Sequence, residues 1–297
     1  MNLFYHPIYT YGIDEKSRFP RDRYRLTREA LKNQNSKIKF QEPQLIDIED
    51  IYKAHDRSYV DSFFNGTLTE KEKRKIGLQP WNKHILERTR YIIGGSVEAM
   101  KSAVKNNSIA ANMAGGTHHA HHSFGSGYCI FNDIAISAIK CREDYEYIKK
   151  ILVIDLDVHQ GDGTASIFSD NDNVFTFSMH CDANFPLKKA SSDLDITLSK
   201  GTGDNDYLKI LYKNLKILEK INADIIFFQA GVDAHLKDHL GHLSISREGL
   251  KQRNNLVLTF AKKRNLPVVV FMGGGYSNPI NHSVDSFVDL FIQCAEY

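Results

Sequence analysis

A short apolar run that leads into a dense group of acidic and histidine residues constrains this chain more than any other feature. Residues 151–154 are Ile, Leu, Val and Ile, and Asp155, Asp157, His159 and Asp162 follow directly. Such a β-branched run is typical of a strand buried on both faces of a parallel sheet. Because side chains alternate along a strand, the first two aspartates and the histidine are expected to share one side where the strand ends.

This polar group predicts a metal site. Close buried carboxylates repel one another, and a cation between them offsets that cost. A catalytic zinc site takes three protein ligands and keeps one position for water. Asp157 and His159 would supply two ligands. Spacing alone leaves the third open: Asp233, which follows another apolar run, is the best placed, and His180 and His235 are alternatives.

A second polar group follows the apolar residues 109–113 and begins with two glycines and a threonine. Its first two histidines, His118 and His119, suit proton transfer, because histidine titrates near neutral pH. A neighbouring carboxylate can hold one ring charged and leave the other neutral, and Asp155 and Asp162 are the spare carboxylates for that duty. The other two histidines of this group are expected in an exposed loop: His121 and His122.

A third polar group follows the apolar residues 268–271. Three glycines make a turn of low bulk there, and Tyr276 comes directly after them. Its hydroxyl could donate a hydrogen bond to an oxyanion that develops during a reaction.

Strand-like runs alternate with helical patterns along the whole chain. The predicted strands are residues 2–5, 109–113, 151–155, 174–178, 225–230 and 268–272. The predicted helices are residues 22–32, 81–105, 131–142, 204–220 and 246–264. This alternation predicts an α/β fold with a mostly parallel central sheet and helices on both faces. Ligands bind outside the carboxyl ends of the strands in such folds, and every candidate residue lies there.

Length and composition predict one catalytic domain over residues 1–297. The chain has 42% hydrophobic residues, enough for a large core, and a net charge of +2, which argues against a dedicated nucleic-acid binder. The basic stretches at residues 18–25 and 71–75 are expected to be solvated surface. Four scattered cysteines fit a reducing compartment. Without a signal peptide or an 18-residue apolar stretch, we expect a cytoplasmic protein with no membrane association.

Taken in order, these groups resemble the zinc-dependent histone deacetylases and their bacterial relatives, and most of all the class IV branch. The matching segments are residues 5–9, 18–20, 115–119, 127–133, 155–163, 229–233, 240–246 and 273–276. The resemblance implies an arginase-like three-layer αβα fold. Gln160 stands where many relatives carry a second histidine, which fits the class IV pattern. Tyr276 is retained where low-activity branches carry histidine.

The resemblance also implies which residues hold metals. Zinc would be bound by Asp157, His159 and Asp233, and not by the two alternative histidines. Fe²⁺ or Co²⁺ could substitute, because an oxygen-rich ligand set is less selective for zinc than thiolate. A potassium ion beside the zinc would use the side chains of Asp155 and Ser178 and the carbonyls of three residues: Asp157, His159 and Met179.

The remaining site residues are expected to move protons or to contact substrate. The resemblance implies a dyad of His118 and His119, backed by Asp155 and Asp162, with Tyr276 polarising the scissile carbonyl. His119 is the closer analogue of the base in the relatives. The candidate substrate-contacting walls of a narrow tunnel are Gly127, Tyr128, Phe185 and Gly274.

The function that follows is hydrolysis of an Nε-acyl-lysine amide in a protein or peptide. Two alternatives stay open. One is the hydrolysis of small acylated amines such as acetylpolyamines, which a cleft with extra acidic residues would favour. The other is a non-catalytic acyl-lysine reader. The residue pattern sets neither the acyl-chain length, the natural substrate nor the oligomeric state.

Overall fold

A computed structural model describes residues 1–32, 34 and 37–297, and one eight-stranded sheet lies at its centre. The strands are β1 (Asn2–Phe4), β2 (Lys39–Gln41), β3 (Ile109–Asn112), β4 (Ile151–Asp155), β5 (Val174–Cys181), β6 (Leu194–Leu198), β7 (Ile225–Gln229) and β8 (Val268–Phe271). Their spatial order is β2-β1-β3-β8-β7-β4-β5-β6, and every pairing is parallel. The predicted α/β fold with a parallel sheet is confirmed.

Helices cover the sheet in two packed groups. They are α1 (Ile8–Tyr11), α2 (Asp22–Leu31), α3 (Ile48–Tyr52), α4 (Arg57–Phe64), α5 (Glu70–Ile76), α6 (Lys83–Asn106), α7 (Asp133–Asp144), α8 (Asp162–Ile167), α9 (Asp204–Leu218), α10 (Arg247–Lys263) and α11 (Asn281–Glu296). The long α6 packs against α7, β3 and β8, whereas α11 packs against α2 and α10, and α10 packs against α9. No helix among the described residues has the length and apolar character needed to cross a membrane.

The register of the central strands brings the polar strand ends together. Every residue of β4 and β7 is buried, as expected for strands covered on both faces. Asp155 pairs with Ser178 of β5 on one side and with Gln229 of β7 on the other. Because the strands are parallel, the residues that follow β3, β4, β7 and β8 meet at one edge of the sheet.

Both edge strands, β2 and β6, were absent from the prediction. Lys39–Gln41 is three residues long and mostly exposed, and Leu194–Leu198 is mostly half-buried, so neither carries the apolar run on which the prediction relied. The prediction also missed Asn281–Glu296, which begins without a side-chain cap, and the short helices α1, α3, α4, α5 and α8. Strand β5 extends three residues beyond its predicted end, so His180 lies in a strand.

The buried guanidinium of one arginine fixes the loops that follow β4 and β7. Arg253 of α10 is fully buried. Its guanidinium donates to the carbonyl of Gly231 at 2.5 Å, to that of Ala230 at 3.2 Å and to that of Leu156 at 3.4 Å. These carbonyls lie beyond the strands, where sheet hydrogen bonds have ended, and buried carbonyls need a partner. Arg253 therefore ties together the two loops that carry the polar group.

Candidate active site and metal centre

Three acidic or histidine side chains converge beyond β4 and β7. Asp157 and His159 follow β4, Asp233 follows β7, and all three are buried. One ligand atom from each residue lies within 4.8 Å of the others. Nδ1 of His159 is 3.0 Å from Oδ1 of Asp157 and 3.1 Å from Oδ2 of Asp233. The structure thus brings together the three residues that the resemblance assigns to zinc.

The electrostatics of this group fit a divalent cation. Burial and the neighbouring charge of Asp157 raise the pKa of Asp233 to about 7, because two buried carboxylates that lie close together repel each other. Burial alone would lower the pKa of His159, but its hydrogen bonds to both carboxylates raise it to about 10. A proton on the imidazole or a divalent cation can offset the two charges. Two carboxylate oxygens and one imidazole nitrogen form a donor set that suits zinc, iron or cobalt.

Two histidine–carboxylate pairs stand beside this ligand group. Nδ1 of His118 lies 2.7 Å from Oδ2 of Asp155, and Nδ1 of His119 lies 2.6 Å from Oδ1 of Asp162. The centroids of the two imidazole rings are 4.1 Å apart, and all four side chains are buried. Since an ionised carboxylate only accepts, each Nδ1–H donates, and the Nε2 atom of each ring remains for other contacts.

The two rings differ in charge at neutral pH. Burial alone would lower the pKa of His118, but the charges of Asp155 and Asp157 outweigh burial and raise it to about 9. Burial and the adjacent charged His118 lower the pKa of His119 to about 4, although the hydrogen bond that His119 donates to Asp162 acts in the opposite direction. His118 is therefore protonated at pH 7, whereas His119 is neutral and can accept a proton.

Aromatic rings and a glycine form the wall between this dyad and the surface. The rings of His119 and Phe185 meet edge-on with centroids 4.8 Å apart, and the rings of Tyr128 and Tyr276 are 5.8 Å apart. Gly127 has a φ of 52°, and a Cβ atom there would lie 2.7 Å from the His119 ring, so the position requires glycine. Phe185 is 41% exposed, which places the outer end of this wall in solvent.

A small cavity of about 40 Å³ lies behind the wall. Asp157, His159, Gly274 and Tyr276 all line it. The N–H of Gly274 donates to Oδ2 of Asp157 at 2.8 Å, and its carbonyl accepts from the N–H of Val232 at 2.7 Å. Both polar groups of this glycine are thus used inside the protein. Gly274 lines the cavity, and its contact with substrate stays a prediction.

Tyr276 is held with its hydroxyl in the neutral form. Its backbone N–H donates to Oδ2 of Asp238 at 2.6 Å, and the guanidinium of Arg23 lies 5.5 Å from the centre of its ring. Burial raises the pKa of the Tyr276 hydroxyl well above its usual value, and the charge of Arg23 offsets this only in part. The hydroxyl therefore remains a hydrogen-bond donor at neutral pH.

The two alternative ligands lie apart from the Asp–His–Asp group. Nδ1 of His180 faces the hydroxyl of Ser178 at 2.9 Å, and His235 stacks on another histidine ring. Ser178 pairs with Asp155 in the sheet, and Met179 is the next residue of the same strand. Three of the residues predicted to hold potassium, Asp155, Ser178 and Met179, are therefore neighbours across β4 and β5.

The prediction of an exposed loop for the last two histidines of the second polar group was half wrong. His122 is exposed. His121, however, is half-buried, and its Nε2 lies 3.1 Å from Oδ2 of Asp162. A single carboxylate therefore contacts both His119 and His121, and these contacts contribute to a pKa for Asp162 well below its usual value despite burial.

Two buried polar residues position the site and were given no role from the sequence. Nε2 of Gln229 donates to Oδ2 of Asp157 at 2.9 Å. The carboxylate of Asp133 accepts from the N–H groups of Gly116 and Thr117 at 3.2 and 2.8 Å, which fixes the turn before the dyad. Both residues lie in segments that carry the family resemblance, and a search for polar residues inside those segments could have found them.

Comparison with known proteins gives one consistent match. Residues 17–291 match the model of the histone deacetylase domain. An uncharacterized protein of Picosynechococcus sp. is 42% identical over 285 residues, which cover 95% of this chain and 94% of that protein. The acetoin utilization protein AcuC of Staphylococcus aureus is 28% identical, with 90% and 74% covered. In the crystal structure of the HDA15 HD domain, the fold matches 99% of this chain with a TM-score of 0.83 at 18% identity, and 88% of that domain is covered.

Proposed function

The chain belongs to the histone deacetylase family of amidohydrolases, and on that basis we propose that it is a zinc-dependent deacylase that removes acyl groups from the Nε-amine of lysine. One observation carries the proposal: two neighbouring histidines, each hydrogen-bonded to a buried carboxylate, stand beside a buried Asp–His–Asp group. Amide hydrolysis needs a base, an acid and a Lewis acid within reach of one carbon atom, and this edge of the sheet offers all three.

Asp157, His159 and Asp233 are the residues that would hold zinc. When bound there, zinc would supply Lewis acidity to a water molecule and to the amide carbonyl. Two buried carboxylates that repel each other, together with a buried imidazole, support this assignment. The donor set fits Fe²⁺ and Co²⁺ as well, so metal identity is part of the proposal.

His119 would act as the general base and then as the general acid. Its pKa of about 4 makes it neutral at pH 7, and Asp162 holds Nδ1 so that Nε2 accepts the proton of water. The same atom would return that proton to the leaving lysine amine. His118, charged through Asp155, would oppose the negative charge that develops on the substrate oxygen.

Tyr276 would donate its hydroxyl hydrogen to that same oxygen. Gly127, Tyr128 and Phe185 would enclose the aliphatic stem of the lysine, because aromatic faces favour an apolar chain stripped of water. The exposed outer edge of Phe185 supports a mouth that accepts a protein segment.

Three further expectations belong to the same proposal. We propose that a potassium ion binds at Asp155 and Ser178, and the pairing of these residues across β4 and β5 supports a shared site. Comparing activity in KCl with activity in NaCl tests this potassium site. We also retain a single catalytic domain of class IV type. The four free cysteines are all buried thiols, which supports a reducing, cytoplasmic location.

The test is a turnover screen with the Tyr276→Phe variant as its reference. Purified protein loaded with zinc is assayed on lysine peptides that carry acetyl to long-chain acyl groups, and on acetylpolyamines. We expect turnover of the peptides. In Tyr276→Phe, kcat should fall by about 10²- to 10³-fold, because one oxyanion donor is lost, while peptide affinity changes little.

The outcomes separate the three functions. Turnover of acetylpolyamines without turnover of peptides would replace the proposed substrate class. Peptide binding by the zinc-loaded parent with no turnover of any acylated amine would identify a reader. An unchanged kcat in Tyr276→Phe would remove this hydroxyl from the mechanism.

A further inference from the structure

A second, larger cleft opens beside the catalytic cavity. Its volume is about 650 Å³, and it lies between the loop that leads into α2 and one side of α5. Tyr128 lines both the cleft and the catalytic cavity, so the two spaces share one aromatic wall. Trp81 forms another part of the cleft surface. A peptide whose side chain entered the catalytic cavity would pass this cleft within a few residues, since an extended chain spans about 3.3 Å per residue.

The cleft is strongly basic. Lys16, Arg18, Lys73 and Arg74 line it together with a single acidic residue, Glu70. Nζ of Lys73 lies 3.0 Å from a carboxylate oxygen of Glu70, so these two charges offset each other. The other three cations remain, and all three are exposed. The electrostatic potential of the cleft is therefore positive.

Neighbouring acidic residues form no ion pair with these three cations, although Asp14 and Glu72 keep their negative charges. Glu15 pairs with Arg21 at 2.6 Å, and Glu72 is used in the N-terminal cap of α5. Asp14 accepts from the backbone N–H of Lys16 at 2.8 Å. Within the described ranges 1–32, 34 and 37–297, no ion pair within 4.0 Å involves Lys16, Arg18 or Arg74.

Arg18 connects this charge to the site. It immediately precedes Phe19, whose ring lies 5.4 Å from that of Tyr128 and 6.3 Å from that of Tyr276. The backbone that carries the cation is thus packed on the wall of the catalytic cavity. An anionic group bound by Arg18 would therefore lie next to the tunnel mouth.

We propose that this cleft binds an acidic segment next to the acylated lysine, so that the enzyme prefers lysines with nearby aspartate or glutamate residues. The inference rests on the proposed deacylase function and narrows its substrate class. Complementary charge at an entrance raises the encounter rate and favours one register of the bound chain. The same charge repels cationic amines, which argues against acetylpolyamines as substrates.

The test compares three acetyl-lysine peptides that differ only in their flanks: three acidic, three neutral or three basic residues. Steady-state kcat/KM is measured for the parent, Arg18→Gln, Arg74→Gln and the double variant. Fluorescence anisotropy of the same labelled peptides gives affinity without requiring turnover. Lys105→Gln is the matched control, because Lys105 is an exposed cation at the opposite end of α6 from the site.

We expect the parent to prefer the acidic peptide through KM. Each removed cation should reduce the ratio of acidic to neutral kcat/KM by about two- to five-fold, the range for exposed charge pairs. Raising the salt concentration should reduce the preference in the parent, and Lys105→Gln should retain it. Equal kcat/KM for the three peptides, or a preference that survives in the double variant, would overturn the proposal.

Failure of the proposed function gives a different result. In that case no peptide is hydrolysed, and anisotropy still reports whether Arg18 and Arg74 select the acidic flank. If the parent bound all three peptides equally, the cleft proposal would fall independently of catalysis.

Discussion

Two clusters of buried polar side chains lie on either side of the histidine-rich segment, and they offset the cost of burial in opposite ways. In the first, Nδ1 of His55 donates to the carbonyl of His121 at 2.9 Å, and its Nε2 accepts from the N–H of Asn132 at 2.8 Å. The Asn132 amide donates to the carbonyl of Ala120 and to the hydroxyl of Thr164. Every donor in this cluster meets an uncharged acceptor.

The second cluster, Asp157, His159 and Asp233, has an excess of acceptors. Two carboxylates converge on one imidazole nitrogen, and their repulsion is offset only when a positive charge is placed between them. The two clusters therefore differ in whether uncharged protein groups alone satisfy their polar atoms. The cluster around His55 is complete with uncharged protein groups and stabilises the fold, whereas the acidic cluster needs a positive charge, either a proton on His159 or a divalent cation in its place.

The largest expected effect comes from breaking the acidic cluster. Asp157→Ala and Asp233→Ala should each abolish tight metal binding and with it turnover, because a catalytic site with two protein ligands is incomplete. Metal content after dialysis and kcat on an acyl-lysine peptide check this. In excess chelator, Asp233→Asn should be at least as stable to urea as the parent, because it removes like-charge repulsion.

Asp162→Asn is the matched control for the metal-ligand variants. It changes another buried carboxylate at the same edge of the sheet, but one that contacts His119 and lies outside the ligand group. This variant should keep its metal and lose activity. Full metal content in both Asp157→Ala and Asp233→Ala would contradict the assignment of the ligands.

The next effect concerns the histidines between the two clusters. His119→Ala should lower kcat by about 10²- to 10⁴-fold, the usual contribution of a general acid–base group, with metal content unchanged. His118→Ala should lose less, because it removes a positive charge and leaves the neutral base in place. Parallel metal analysis is essential here. A near-normal kcat in metal-loaded His119→Ala would mean that another group takes the proton.

The smallest effect is on stability and comes from the uncharged cluster. Burial lowers the pKa of His55 to about 4 from 6.5, so the folded state favours the neutral ring. That stability is fully present above pH 6.5 and is lost as the pH falls towards 4. It amounts to about 3 kcal/mol at one pKa unit per 1.36 kcal/mol. Protonation of Nε2 would also break its bond to the N–H of Asn132.

The measurement compares urea unfolding of His55→Gln and the parent between pH 7.5 and pH 4.5. Glutamine offers a donor and an acceptor but does not titrate in this range, so the variant should be less stable by about 1–3 kcal/mol at pH 7.5 and its pH dependence should be flatter. His122→Gln, an exposed neighbour, should follow the parent. Parallel pH profiles for His55→Gln and the parent would show that His55 does not titrate on unfolding.

The sequence predicted the centre of this molecule better than its margins. Strand β4 has its predicted ends, because buried strands of a parallel sheet carry unbroken apolar runs. The edge strand Lys39–Gln41 carries none; its neighbours in space, not its composition, make it a strand. The same holds for Arg253, whose role depends on carbonyls that lie 22 to 97 residues away along the chain.

The candidate site divides in the same way. Asp157 and His159 were predicted together from their alternate spacing after one apolar run, although the strand itself ends at Asp155. Spacing left Asp233 open against two histidines, because nothing local shows that β7 lies next to β4. The charge difference between His118 and His119 was foreseen only in general terms. Which ring is charged depends on how many carboxylates each one meets in the folded protein.

The register between β4 and β7 has a consequence for the order of folding. Asp155 is paired with Gln229, and a slip of one residue would turn the side chains of one strand to the opposite face. Asp157 and Asp233 are distant in sequence, so their meeting requires a long loop to close, which is a slow event in folding. A partly folded chain holds only the local pair of Asp157 and His159. We therefore expect metal uptake to follow sheet assembly and to report its completion in a refolding experiment.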